Sequence, residues 1–119
     1  MMEKAGRNVS KYNAKRTTID GITFASRKEA DCYVEIKLLQ HAGEIKDFSL
    51  QPEFELQAAF TDSNGVKHRA IKYRADFMLT YSDGREVVVD VKGVRTAVYA
   101  LKKKLFLARY PHLRFREVD

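Results

Sequence analysis

Two aspartates and a lysine, Asp76 and then Asp90-Val91-Lys92, have the types and spacing to do chemistry in this chain. They lie in one stretch, residues 73–93, that reads as a β-hairpin. Its turn is Ser82-Asp83-Gly84, a three-residue loop with Gly at the left-handed position, which pairs Tyr81 with Arg85. Following that ladder back predicts Met78 opposite Val88, Asp76 opposite Asp90 and Arg74 opposite Lys92. Alternation then puts Ala75, Phe77 and Leu79 with Val91, Val89 and Val87 on the other, apolar face. A two-residue Asp83-Gly84 loop would slip the pairing by one and send the aspartates to opposite faces.

Side chains directly opposed in a sheet have β-carbons roughly 4.5–5.5 Å apart, and like charges there repel. Two carboxylates so placed want a cation between them. Oxygen donors without a neighbouring His or Cys point to Mg²⁺, with Mn²⁺ as substitute. Asp90 also interrupts the run Val87-Val88-Val89, and a buried charge needs compensation. A metal together with Lys92 would supply it. The plainer alternatives are that Asp76 is an exposed acid paired with Arg74 or Lys92, and that Lys92 is only an ion-pair partner. His41, His68 and His112 are scattered without the spacing of a metal or catalytic cluster.

The pattern Asp76, hairpin, Asp90-Val-Lys92 resembles the PD-(D/E)XK nuclease superfamily, whose motif is a lone Asp followed by Asp/Glu-x-Lys. With Ser26-Arg-Lys-Glu29-Ala upstream and Gly93 downstream, the chain is similar to small phage-type proteins of that superfamily. It is also similar in size to the minimal resolvases that cut Holliday junctions. The resemblance runs from about Ile22 onward and departs at Ala75, where the motif has proline. It implies a restriction-endonuclease-like fold and a metal-dependent endonuclease acting on DNA, with branched DNA in phage recombination or packaging as the favoured substrate. Asp76, Asp90 and the Val91 carbonyl would hold the metal, Glu29 would join directly or through water, and Lys92 would orient the attacking water. Symmetric cutting of a junction would call for a homodimer.

The elements that must position these residues follow from local signals. Asp20-Gly21 marks a turn before a short strand at Ile22–Phe24, and Ser26 opens a helix to about His41, capped by Gly43. Ser26-Arg-Lys-Glu29 is also a capping box, so Glu29 has a structural role available besides a catalytic one. Its helical neighbours Cys32, Tyr33 and Ile36 place it along an inward-leaning stripe. Strands are expected at 45–50, 53–60 and 67–81, with a turn at Asn64-Gly65; Gln51, between two of them, is a candidate lining residue. A second helix runs from Thr96 to about Tyr110, stopped by Pro111, and a strand from Leu113 closes the order. The pattern predicts an α/β (α+β) domain over 19–119, a central mixed sheet flanked by helices.

Net charge is +6 with 22 Lys and Arg against 16 Asp and Glu, which favours a polyanionic partner. Residues 1–18 read as a flexible basic arm containing Lys15 and Arg16, either a solvated tail or a phosphate grip. On the second helix, Arg95, Tyr99, Lys102 and Lys103 are candidate DNA contacts, with a solvated basic face as the alternative. One cysteine, Cys32, excludes an internal disulfide and suits a reducing cytoplasm; no segment reads as a membrane span or signal peptide. Two other readings stand beside the nuclease: a non-catalytic nucleic-acid-binding protein on the same fold, and an RNA- or ribosome-associated module, for which paired stacking aromatics are missing.

Overall fold

The computed structural model of the chain describes residues 15–119. Strands β1 (Thr17–Ile19) and β2 (Ile22–Phe24) form a small antiparallel hairpin. Asp20 and Gly21 turn it in the left-handed region, at φ 54° and 77°. Thr17 and Thr18, expected in the basic arm, are therefore strand; residues 1–14 of that arm lie outside the described residues. Helix α1 (Arg27–His41) starts at Ser26, whose hydroxyl accepts the Glu29 N–H at 3.1 Å. Gly43, at φ 86°, follows its end.

The principal sheet has the order β10-β9-β8-β3, from β3 (Ile45–Leu50), β8 (Phe77–Tyr81), β9 (Glu86–Val91) and β10 (Arg114–Val118). Its pairs are antiparallel except β9 with β10, which run parallel through the crossover helix α2 (Ala97–Arg109). Helix α1 covers one face: Ala30, Tyr33 and Ile36 pack with Phe24, Phe77, Leu79, Val87, Val89 and Val91. The other face belongs to α2, where Phe106 packs with Phe54, Tyr73, Ala75, Val88 and Leu113. This is the expected α+β arrangement of a mixed sheet with a helix on each side. Among the described residues, no helix is long and apolar enough to cross a membrane.

The expected strand over 67–81 is broken into β6 (Lys67–His68), β7 (Ile71–Arg74) and β8. β6 pairs only with β5 (Phe60–Thr61), and β7 only with β4 (Glu53–Gln57). The cause of the second break lies on the neighbouring strand. Gln51 takes φ 48°, and Pro52 has no N–H to give a ladder. The chain therefore steps out of the sheet between Leu50, which faces Phe77, and Glu53, which faces Arg74. The partner steps with it: Gln51 N–H donates to Asp76 O at 2.9 Å, and Ala75 N–H to Pro52 O at 3.1 Å.

Candidate active site

The hairpin turn is as the sequence predicts, with Tyr81 N–H donating to Arg85 O at 2.8 Å, Gly84 at φ 93° and Met78 facing Val88. The ladder expected beyond it does not continue. Phe77 is the register partner of Val89, yet the Asp76 N–H also donates to Val89 O, at 3.1 Å. Two residues thus address one, as in a β-bulge, which turns the preceding chain by one position. Ala75 consequently packs on the α2 face with Tyr73 and Val88, not with Phe77 as alternation predicts. Asp76 is not squarely opposite Asp90, and Arg74 faces Glu53, 3.7 Å away, instead of Lys92.

Asp90 alternates with Val89 and Val91 and so shares the α2 face with Val88. Among the described residues it is the one charged residue in the core, 2% exposed. Its Oδ2 accepts the Tyr73 hydroxyl and its Oδ1 meets Lys92 Nζ at 2.9 Å. The Lys92 ammonium also lies 3.8 Å from the centre of the Tyr99 ring. Tyr99 in turn donates its hydroxyl to Glu117 Oε2 at 2.5 Å. Burial and the Asp90 carboxylate push the Tyr73 phenol far above its usual range, so it remains a donor.

Asp76 sits on the α1 side. It lines a small cavity with Phe24, Glu29, Gln51 and Phe77, and its Oδ2 accepts the Val91 N–H at 2.7 Å. Val91 thus meets Asp76 through its N–H. Glu29 reaches the cavity from the first turn of α1, and the cap bond at Ser26 uses only its backbone. Gln51, a candidate lining residue, does line it. Cys32 is buried nearby with its thiol pushed up to about 11 by burial, which keeps it protonated and a poor ligand.

Burial pushes the Asp76 carboxyl up to about 7, with Glu29 and Asp90 adding to the rise and the Val91 N–H and Lys92 opposing it. Glu29 is raised first by burial and then by Asp90, again against Lys92. Three carboxylates therefore share one field with a single lysine side chain. Lys28 donates to the Lys92 carbonyl, at 3.5 Å. Among the described residues, no three His, Cys, Asp or Glu side chains are drawn together as a ready metal cage. The donor chemistry nevertheless fits a hard divalent cation: the donors are carboxylate oxygens, they carry excess negative charge, and Asp76 is half-buried.

The candidate DNA contacts separate into two groups. Arg95 and Lys103 are held at the end of β10: Arg95 meets Asp119 at 2.5 Å and Glu117 at 3.4 Å, and Lys103 meets Glu117 at 3.1 Å. Tyr99 is engaged by Lys92 and Glu117, so its ring and hydroxyl serve the site from within. Lys102 lines an open groove with Lys92, while Lys15 and Arg16 are exposed before β1. Sequence reasoning missed Tyr73 and Glu117. Tyr73 carries one usable signal, a phenol in a strand three residues before Asp76. Glu117 has none, because it is brought to Tyr99 only by the parallel return of β10.

No curated protein and no solved structure matches the chain. Over residues 9–118 it matches the model of a family described as a protein of unknown function, DUF1064, and the chain belongs to that family.

Proposed function

We propose that the chain is a divalent-metal-dependent DNA endonuclease of the PD-(D/E)XK kind, with a restriction-endonuclease-like arrangement of its sheet. The observation that carries this reading is that Glu29 from α1 and Asp76 from the β7–β8 junction line one cavity, while Asp90, ion-paired with Lys92 at 2.9 Å at the end of β9, lies close enough for its charge to raise both carboxyls. Asp76 and Asp90 would hold Mg²⁺ or Mn²⁺, with Glu29 and the Val91 carbonyl completing the set. Bound there, the metal would polarise the scissile phosphate and lower the pKa of a bound water. Tyr73 fixes the Asp90 carboxylate by its hydrogen bond. Lys92, steadied on the Tyr99 ring, presents an ammonium to the negative charge that grows on the phosphate. The Val91 N–H orients Asp76.

Branched DNA, such as a four-way junction in phage recombination or packaging, is the substrate class the resemblance favours. Paired cuts would require a homodimer, and the work would be done in the host cytoplasm. The second reading, a nucleic-acid-binding protein without catalysis, draws on Asp90, whose two oxygens already have protein partners in Tyr73 and Lys92.

Incubating the protein with labelled four-way junction, flap, linear duplex and single-stranded DNA in Mg²⁺ or Mn²⁺ separates the two. Metal-dependent cutting of any of them supports the nuclease, and the preferred topology names its task. Tight binding that survives EDTA, with no cutting of any substrate, supports the binding protein.

A further inference from the structure

We propose that the groove between β7 and the first turns of α2 binds the phosphate backbone of a DNA strand and leads it to Lys92. This rests on the nuclease reading for its destination, but the groove is argued from its own residues. It is lined by Lys72, Arg74, Lys92 and Lys102, with Glu53 as the one acid and Tyr99 at its inner end. Lys72 and Arg74 flank the buried Tyr73, so strand alternation turns both away from the core.

Their shared partner does not retain them. Glu53 lies 3.9 Å from Lys72 and 3.7 Å from Arg74, and all three side chains are at least half exposed. Ion pairs of that length and exposure are weak, so a phosphate can take both cations from one carboxylate. Arg95 and Lys103, in contrast, are committed to Glu117 and Asp119. The groove is thus where cations outnumber acids beside the candidate active site. Helix α2 carries no acidic residue in its first turn to oppose an anion there.

The groove also indicates how the strand is read. The Tyr99 ring is covered by the Lys92 ammonium, leaving that face unavailable to a base. Apart from Glu53, and from Tyr73 and Thr96, whose hydroxyls are bonded to Asp90 and to the Tyr99 N–H, the polar lining is cationic, and cations on phosphates position a strand without reading its sequence. Val98, 63% exposed at the groove, offers an apolar contact to sugar. The groove therefore takes DNA by its backbone, independent of sequence.

The test is binding of a labelled random-sequence duplex by the full chain in EDTA, by fluorescence anisotropy over a range of salt. Lys72→Gln/Lys102→Gln is compared with Lys37→Gln/Lys46→Gln, which removes the same charge from α1 and β3. The groove pair is expected to bind ~10-fold more weakly, with the slope of log affinity against log salt shallower by about 2. The control pair is expected to stay within about twofold of wild type, since distant surface charge acts only through a screened field. Equal affinities and slopes for the groove pair and wild type would overturn the groove, as would absence of DNA binding by folded wild type at low salt. Cleavage in Mg²⁺ separates the two proposals. A groove pair that binds poorly beside a wild type that cuts nothing retains the groove and removes the nuclease. A groove pair that binds and cuts like wild type does the reverse.

Discussion

The Lys92 ammonium rests 3.8 Å from the centre of the Tyr99 ring, and the Tyr99 hydroxyl is anchored on Glu117 of β10. The lysine at the candidate site is thereby tied to the far edge strand of the sheet. Cation–π contacts contribute about 0.5–2 kcal/mol, depending on how dry the site is. Tyr99→Phe keeps the ring and loses only the bond to Glu117, whereas Tyr99→Ala removes the seat of the ammonium. Under metal-saturating, single-turnover conditions, Phe is expected to stay within roughly threefold of wild type and Ala to fall about tenfold or more. Equal rates for Ala and wild type would dissociate Tyr99 from Lys92.

Tyr73 supplies the only hydroxyl on the buried Asp90 carboxylate among the described residues. Hydrogen bonds to charged groups are worth about 1.5–3 kcal/mol, and loss of one leaves a buried acceptor short. Tyr73→Phe is expected to lower stability by that order, read as a shift of the urea midpoint at unchanged m-value. Cleavage should also weaken, because Asp90 then has Lys92 alone to fix it.

Burial pushes the Asp76 carboxyl up to about 7 in the fold, from the ordinary aspartate value of 3.8 in the unfolded chain. Between those values the unfolded chain binds fewer protons than the native one, so stability falls as pH rises through that window and levels above it. In EDTA the melting temperature is expected to decline from about pH 4 to 7, and Asp76→Asn to flatten the decline. A metal requires the ionised carboxylate, so Mg²⁺-dependent cleavage should climb through about pH 7. A wild-type stability profile identical to that of Asp76→Asn would contradict the buried position of this carboxyl.

Glu29 has its backbone in a helix cap and its side chain in the Asp76 cavity, and two variants separate those roles. Ser26→Ala removes the cap acceptor and is expected to cost about 1 kcal/mol of stability while leaving the cleavage rate unchanged. Glu29→Gln should do the opposite, slowing metal-dependent cleavage with little change in the melting temperature. Reversed effects would return Glu29 to a purely structural role.

The hairpin itself was legible because its turn chemistry is local. Ser82-Asp83-Gly84 specifies the loop, the loop specifies the register, and Met78 meets Val88 accordingly. The bulge at Asp76 was not, because its cause is on another strand: Gln51-Pro52 steps out of the sheet and takes Ala75-Asp76 with it. The alternation of Arg74, Ala75, Asp76 and Phe77 contains no mark of that event. The helix start at Ser26 was readable as a cap, and its hydroxyl accepts the N–H three residues on; Thr96, read only as the start of the second helix, caps it in the same way. The fate of Arg95 and Lys103 was hidden for a topological reason. Their partner Glu117 arrives only when β10 lies parallel to β9, and a basic run on a helix gives no hint of which lysines are already paired.

The central claim is that Asp90 serves metal-dependent phosphodiester hydrolysis, and Asp90→Asn tests it most directly. Asn preserves size and an acceptor for Tyr73, removes the charge, and leaves Lys92 without its ion pair. Wild type and variant, shown equally folded by circular dichroism, are incubated with the four-way junction and linear duplex in Mg²⁺, with an EDTA control. The expected result is cutting by wild type in Mg²⁺ alone and a loss on the order of 100-fold or more in the variant, with DNA still bound. Cutting by the variant at the wild-type rate, or by wild type in EDTA, would contradict the account.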